Sequence, residues 1–177
     1  MKLLLHSCCG PCSTYPLKVL KEKNIDVTAF WFNTNIHPYM EYKNRYESFK
    51  LLMEKENVPT IEMDEYDLIK FTRGVYGKEF ERCRYCYESR MEVVAKTAKE
   101  NGFDAFCTTL LVSPYQKHEM LKEVCEEMAR KYDIDFYYMD FREGFREGQK
   151  MARDMGLYMQ KYCGCVYSEA ERYKMLK

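Results

Sequence analysis

Two kinds of segment alternate along the chain when its hydrophobic and polar positions are compared. The clearest helix is predicted at residues 41–57, where Tyr42, Tyr46, Phe49 and Met53 recur on one face. Short apolar runs typical of buried strands lie at residues 2–6, 27–32, 60–63, 104–111 and 135–141. Further helices are predicted at about 13–24, 82–100, 113–132, 144–155 and 168–176, with an irregular or loosely helical segment at 64–81.

Strands that alternate with helices predict parallel pairing with right-handed crossovers. We therefore expect an α/β fold: one doubly wound, mostly parallel sheet of about five strands flanked by helices. Residues 1–177 should form a single metal-binding catalytic domain of this kind. In such sheets ligands bind beyond the carboxyl ends of the strands. Residues that directly follow a strand are thus the first candidates for a functional site.

Composition limits the location and the partners that we expect. The 28 basic and 28 acidic residues give a net charge of zero, so any contact with RNA must come from a local patch. No run approaches the roughly 18 apolar residues that cross a membrane. The apolar run at the N-terminus is too short for a signal-peptide core. We expect a cytoplasmic protein that has no membrane partner.

The cysteines carry the most specific signal. There are nine, an odd number that fits complete disulfide pairing badly, and a reducing compartment favours metal or redox roles for clustered thiols. Seven of them form three groups, which are Cys8-Cys9-x-x-Cys12, Cys83-x-x-Cys86 and Cys163-Gly164-Cys165. The other two, Cys107 and Cys125, stand alone and are expected to be buried free cysteines.

The spacing of the three groups suggests different chemistry for each. Cys83 and Cys86 lie in the first turn of a predicted helix, where its positive end favours thiolate. With two sulfurs from the first group they would supply four ligands, which suit tetrahedral zinc or an iron–sulfur cluster. Cys163 and Cys165 could close a small, strained and readily reduced disulfide. Alternatively, both are further metal ligands.

Several rival interpretations remain at this level. Cys9-Gly-Pro-Cys12 matches a thioredoxin-like thiol oxidoreductase, but that function leaves the other two cysteine groups unexplained. A zinc-binding RNA module is a second rival. Radical-SAM spacing fails because Tyr15 occupies the position of the third cysteine. The absence of a Walker A or Rossmann glycine pattern disfavours an ATP-dependent tRNA-modifying enzyme.

Two groups of basic residues could meet phosphates. Arg82, Arg84 and Arg90 flank the second cysteine pair. A second set shares one face of a predicted helix, although interspersed acidic residues also fit a solvated face. That set is Arg142, Arg146, Lys150 and Arg153.

Taken together, these motifs resemble the QueH family of epoxyqueuosine reductases over essentially the whole chain. A small departure is Thr34, where the family usually carries proline. The matching stretches are His6-Ser-Cys-Cys-Gly-Pro-Cys12, Asn33-Thr-Asn-Ile-His-Pro38 with Glu41, Tyr42 and Arg45, Arg82-Cys-Arg-Tyr-Cys-Tyr87 with Arg90, Thr108-Thr-Leu-Leu-Val-Ser-Pro114, Asp140-Phe-Arg142 and Tyr158-Met-Gln-Lys-Tyr-Cys-Gly-Cys165.

The resemblance implies reduction of the epoxide of epoxyqueuosine in tRNA to the alkene of queuosine. It implies the HUP-type α/β fold shared with PP-loop ATP pyrophosphatases and a redox-active pair at Cys163 and Cys165. It also implies a [4Fe-4S] cluster and an adjacent mononuclear iron. The cluster ligands would be Cys8, Cys9, Cys83 and Cys86, and the candidate ligands of the second iron are Cys12 and Asp67.

The resemblance also suggests partners and further site residues. The partners would be tRNA carrying epoxyqueuosine and an unidentified electron donor, either ferredoxin- or flavodoxin-like or a small-molecule reductant. The candidate acids or substrate-binding residues are His6, Asp140, Arg82, Arg142 and Tyr87. A proton donor is needed because the epoxide oxygen must leave as water.

Overall fold

The computed structural model describes residues 1–175, so the predicted end of the last helix at residue 176 lies outside the described residues. The strands are β1 (Lys2–His6), β2 (Asp26–Trp31), β3 (Thr60–Glu62), β4 (Ala105–Thr108) and β5 (Asp135–Phe136). The helices are α1 (Gly10–Glu22), α2 (Tyr39–Glu56), α3 (Leu68–Val75), α4 (Arg82–Glu100), α5 (His118–Tyr132), α6 (Phe145–Asp154) and α7 (Val166–Arg172).

The five strands form one sheet in the order β3-β2-β1-β4-β5, and every described pair is parallel. Leu4 of β1 lies opposite Thr28 of β2 on one side and Phe106 of β4 on the other. This order confirms the predicted doubly wound sheet. The chain moves outward from β1 to β3 and then returns to the other side of β1, so the switch point lies between β1 and β4.

The reversal at the switch point places helices on both faces of the sheet. Helix α1 packs against α2 and α6, while α4 packs against α5. Because both faces are covered, the central strands are apolar on both sides. Leu3, Leu4 and Leu5 are fully buried, as are Phe30 and Phe106 on the neighbouring strands. The site is built from the ends of these strands, and the buried core therefore holds those ends in fixed positions.

The start of α1 differs from its prediction at residue 13. The helix begins at Gly10, because the sulfur of Cys9 caps it by accepting a hydrogen bond from the backbone N–H of Cys12 at 3.4 Å. Gly10 is needed for close packing on α2, since a Cβ there would lie 2.4 Å from the hydroxyl of Ser48. Cys12 consequently lies in the first turn of the helix and faces Cys9.

Other element boundaries also shift. β4 ends at Thr108 because its hydroxyl accepts a hydrogen bond from the N–H of Leu110 and starts a 3-10 turn. β5 is only two residues long, and α5 begins at His118 rather than at 113. The segment at 64–81 contains α3 and a 3-10 turn, Glu79–Glu81. Apolar runs alone do not distinguish a strand from a buried turn.

No helix within residues 1–175 has both the length and the apolar character needed to cross a membrane.

Candidate functional site

The first cysteine group lies at the switch point of the sheet. The sulfurs of Cys8, Cys9 and Cys12 are buried and lie within 4.8 Å of one another. Cys8 follows β1, and Thr109 follows the adjacent β4. The Thr109 hydroxyl accepts a hydrogen bond from the Cys8 N–H at 3.1 Å and donates to the Cys8 sulfur at 3.4 Å. The two strand ends thereby fix the position of this thiol.

The environment of the triad favours negative charge on one sulfur. Donation from the thiols of Cys12 and Cys9, and from Thr109, holds the pKa of Cys8 well below its usual range. Donation to Cys8 raises the pKa of Cys12, while burial raises that of Cys9. The side-chain amide of Gln160 donates to the Cys9 sulfur at 2.9 Å and lies 3.5 Å from the Cys12 sulfur. The cysteine sulfurs thus accept the hydrogen bonds that Thr109 and Gln160 donate.

Two adjoining cavities bring the three cysteine groups to the same end of the sheet. Cys8 and Cys12 line a cavity of about 950 Å³. Cys83, Cys86 and Cys165 line a smaller one of about 200 Å³. Cys163 is exposed and lines both cavities. Groups separated by more than seventy residues in the sequence therefore share a continuous site.

A buried arginine lies between the first two groups. Arg90, one turn along α4, donates from Nη2 to the sulfur of Cys86 at 3.1 Å. Its positive charge also acts on Cys163 and Cys8. Even so, burial raises the pKa of the Cys86 thiol to about 12. The predicted lowering of this pKa by the helix end is therefore wrong for Cys86, because desolvation outweighs the favourable charges.

The third group forms a tight loop that leads into α7. The Cys165 sulfur accepts hydrogen bonds from the N–H of Ser168 and from Nε of Arg82, both at 3.3 Å. The amide of Gln116 donates to the Cys163 sulfur at 3.3 Å. Gly164 has a φ of +155°, a conformation that favours glycine. Each sulfur of the pair therefore has a polar donor directed at it.

Helix α2 holds this loop through a buried arginine. Arg45 donates to the carbonyls of Cys163 at 2.7 Å and Tyr162 at 2.8 Å. Its Nε donates to Glu41 at 2.8 Å, and the other oxygen of Glu41 accepts from the hydroxyl of Tyr158. All five hydrogen-bonding positions of this network lie on α2 or on the segment before α7. The network fixes the loop on α2.

The sequence alone gave no individual role to four residues that contact the thiols or their loop, which are Thr109, Gln116, Gln160 and Arg45. Thr109, Gln116 and Gln160 carry neutral side chains, whose positions near sulfur no spacing rule predicts. Two signals were available. Thr109, Gln160 and Arg45 lie in the stretches that match the family, and the i, i+4 spacing of Glu41 and Arg45 is typical of an ion pair on a helix.

Two predicted site residues are buried beside the cysteines. His6 is hydrogen-bonded to Thr108 at 2.9 Å and Asn33 at 3.1 Å, and burial lowers its pKa to about 4. It is therefore neutral near pH 7 and lines neither cavity. Tyr87 lines the smaller cavity and donates to Oε1 of Gln116 at 2.7 Å, so it supports the amide that contacts Cys163.

Three other predicted site residues lie away from the sulfurs. Asp67 caps α3 by accepting from the N–H of Lys70 at 2.8 Å, and it lines neither cavity. Asp140 pairs with Arg142 at 2.5 Å, an interaction that lowers the pKa of Asp140 to about 2. Neither of these two paired residues lines a cavity.

The first predicted phosphate-binding group is largely engaged in contacts within the chain. Arg82 and Arg90 are buried and donate to cysteine sulfurs. Arg84 is held by three carboxylates, those of Glu88, Glu123 and Glu127. These contacts within the chain do not favour the predicted RNA patch of the three arginines, which stays a prediction. Cys107 and Cys125 are buried and free, as predicted.

The donor set fits a thiolate-bound metal group. Within residues 1–175, Cys8, Cys9 and Cys12 form the one group of three or more cysteine, histidine or acidic ligand atoms lying within 4.8 Å of one another. Soft sulfur ligands suit zinc, copper(I) or iron–sulfur groups. Cys83 and Cys86 are additional sulfurs in the neighbouring cavity. The site can therefore hold a metal next to a pair of redox-capable thiols.

Comparisons with known proteins agree on the family and the fold. The model of the family described as "Epoxyqueuosine reductase QueH" matches residues 3–171. The protein of that name from Dehalococcoides mccartyi is 35% identical over 97% of this chain and 94% of its own length. The one from Histophilus somni is 38% identical over 94% of this chain and 72% of its own length.

A solved structure supports the architecture. The predicted subunit of tRNA methyltransferase from Methanocaldococcus jannaschii aligns with a TM-score of 0.56 at 13% identity, over 86% of this chain and 76% of that one. At this identity the likeness shows the fold alone, which is the parallel α/β sheet expected above. The match to the family model and the identity to its members concern the sequence itself and extend over nearly the whole chain. This chain belongs to the epoxyqueuosine reductase QueH family.

Proposed function

We propose that this chain reduces the epoxide of epoxyqueuosine in tRNA to the alkene of queuosine. The observation that carries the proposal is the convergence of three cysteine groups on two adjoining cavities that share Cys163, in a chain of this family. Reductive removal of an epoxide oxygen needs two electrons, two protons and stabilisation of negative charge on oxygen. Thiols and a thiolate-bound metal are groups that supply these needs.

We propose Cys8, Cys9, Cys83 and Cys86 as ligands of a [4Fe-4S] cluster. The compact triad at the switch point and the two further sulfurs in the adjoining cavity support this assignment. For an adjacent mononuclear iron, Cys12 is a stronger candidate than Asp67, whose carboxylate is engaged in capping α3. When bound, such a group supplies single electrons and Lewis acidity.

Cys163 and Cys165 are proposed as the two-electron reductant. Both C–O bonds of the epoxide break and a C=C bond forms, the two thiols become one disulfide, and their two protons leave with the oxygen as water. The reaction therefore balances without another acid. The exposure of Cys163 to the larger cavity supports its role as the thiol nearer the substrate.

Other residues of the chain would assist this step by holding charge and position. Arg90 and Arg82 place positive charge beside the sulfurs of Cys86 and Cys165. The hydrogen bonds from Tyr87 to Gln116 and from Gln116 to Cys163 orient the exposed thiol. An electron donor, which is ferredoxin-like, flavodoxin-like or a small-molecule reductant, would then reduce the disulfide again.

The conversion can be tested directly. Protein purified without oxygen is incubated with reductant and tRNA carrying epoxyqueuosine, and the digested tRNA is analysed for queuosine. Cys83→Ala is expected to remove product and visible absorbance together, while Cys165→Ala should lose repeated turnover. Cys125→Ala is the matched control, since this buried cysteine lies outside both cavities. Colourless, zinc-only protein that remains active would refute the cluster assignment.

A thioredoxin-like activity is the second candidate, because Cys9 and Cys12 lie at the cap and first turn of α1. The all-parallel sheet argues against it, since a thioredoxin sheet contains antiparallel strands. Reduction of insulin disulfides that depends on Cys12 but not on Cys83 would favour this alternative. A zinc-binding RNA module would instead hold zinc, bind tRNA and form no queuosine.

A further inference from the structure

The larger cavity concentrates positive charge that the chain as a whole lacks. Its lining includes six basic side chains and one carboxylate, whereas the whole chain has 28 basic and 28 acidic residues. The carboxylate is that of Glu171, which is already paired with Arg82 at 2.7 Å. The cavity therefore carries a local excess of positive charge that attracts an anionic ligand.

The six cations divide into two kinds. Arg45 and Arg90 are buried and hold the loop and the thiols. The others are exposed, and within residues 1–175 they form no ion pair and no side-chain hydrogen bond; these are Arg146, Arg153, Lys161 and Arg172. By contrast, Lys150 on the same helix α6 does not line the cavity and is paired with Asp154 at 2.7 Å.

Aromatic rings line the same cavity as these four cations. Phe145 and Tyr162 line the cavity together with Tyr115, whose side chain is 84% exposed. The Tyr115 ring meets Phe145 edge to face, with centroids 5.9 Å apart. One edge is thus supported while the ring remains open to solvent. An exposed ring that shares a cavity with cations can bind an unpaired base flanked by phosphates.

We infer that the four exposed cations and Tyr115, which together form the rim of the larger cavity, bind an unpaired loop of the tRNA. The four free cations contact phosphates on both sides of the reacting nucleotide, and Tyr115 stacks on a neighbouring base. The reacting base itself enters the cavity towards Cys8, Cys12 and Cys163. A volume of about 950 Å³ accommodates such a group, and a base that enters a cavity must first leave its stack and any base pair. This inference rests on the proposed function, because it assigns the RNA surface of that site.

The test measures binding separately from chemistry. Fluorescently labelled tRNA of the substrate sequence, without the modified base, is titrated with anaerobically purified protein at several salt concentrations. Arg146→Gln and Arg153→Gln should each weaken binding about threefold or more and lower the salt slope by about 0.7. Lys150→Gln is the matched control on the same helix and should stay within about twofold of the wild-type affinity.

Loss of stacking should change the affinity for tRNA without changing its dependence on salt. Tyr115→Ala should weaken binding by about fivefold or more with an unchanged salt slope, because the ring contributes no charge. Tyr115→Phe keeps the stacking face and should bind as the wild type does. A fully paired RNA duplex of equal length should compete poorly. Equal competition by the duplex would overturn the assignment of an unpaired loop.

The outcomes separate this inference from the proposed function. If the wild type forms queuosine while the Arg146, Arg153 and Tyr115 variants retain wild-type affinity and KM, the RNA surface is wrong and the activity stands. If Lys150→Gln weakens binding as much as the cavity variants do, the surface is also wrong. If the variants show the expected losses but no queuosine forms, the surface stands and the proposed reaction fails.

Discussion

The buried pair of Glu41 and Arg45 should contribute much more to stability than an exposed pair on the same helix. Their side chains are 9% and 3% exposed, and the N–O distance is 2.8 Å. Arg45→Met leaves a buried carboxylate without its cation and frees two carbonyls of the Cys163 loop. Removal of one partner of such a pair costs about 3–5 kcal/mol. For a chain of this length that is a fall in Tm of roughly 6–20 °C.

A double-mutant cycle isolates the pair. Glu41→Gln, Arg45→Met and the double variant are unfolded in urea at equal metal content, since bound metal would itself add stability. The expected coupling is about 1–3 kcal/mol. The control is Lys43→Met with Glu47→Gln, which has the same i, i+4 spacing on α2 but side chains 48% and 57% exposed. There the coupling should not exceed about 0.5 kcal/mol. Equal coupling in the two cycles would refute the reasoning.

Two further predictions concern the loop and its surroundings. Gly164→Ala should strain the backbone by about 1–3 kcal/mol and sharply lower turnover with metal content unchanged, because its Cβ would lie 3.3 Å from Asn35. Gly102→Ala, with a φ of +70° and open space, should lose stability but keep full turnover. Burial lowers the pKa of His37, although the charge of Asp67 opposes the shift. The stability that depends on neutral His37 is thus fully present above about pH 6.5 and is lost as the pH falls below that value. Urea unfolding at pH 7 and pH 5 should show a smaller acid loss for His37→Phe than for the wild type; an equal loss would exclude His37 as the source.

Local sequence determined the type and order of most elements. The apolar run of β1 and the periodicity of α2 are consequences of burial on two faces and on one face, which the hydrophobic pattern records directly. Alternation of strands and helices then leaves few topologies, and right-handed crossovers select the observed one. The motifs were also sufficient to identify the family, because their combination extends over nearly the whole chain.

Tertiary structure decided the boundaries and the contacts of the site. The cap formed by Cys9 and the 3-10 turn after Thr108 depend on single hydrogen bonds that hydrophobic periodicity does not encode. The same holds for Gln160 on the first cysteine group and Arg45 on the Cys163 loop, which meet their partners more than one hundred residues away in the sequence.

The basic residues show most clearly the difference between what the sequence determines and what the fold decides. The sequence by itself determined a net charge of zero and the positions of the basic residues. Only the fold decided which of them are available, since Arg84 lies against carboxylates while Arg146 and Arg153 line the cavity and have no acidic partner among residues 1–175. The physical reason is that desolvation and pairing depend on neighbours in space, and those neighbours come from every part of the chain.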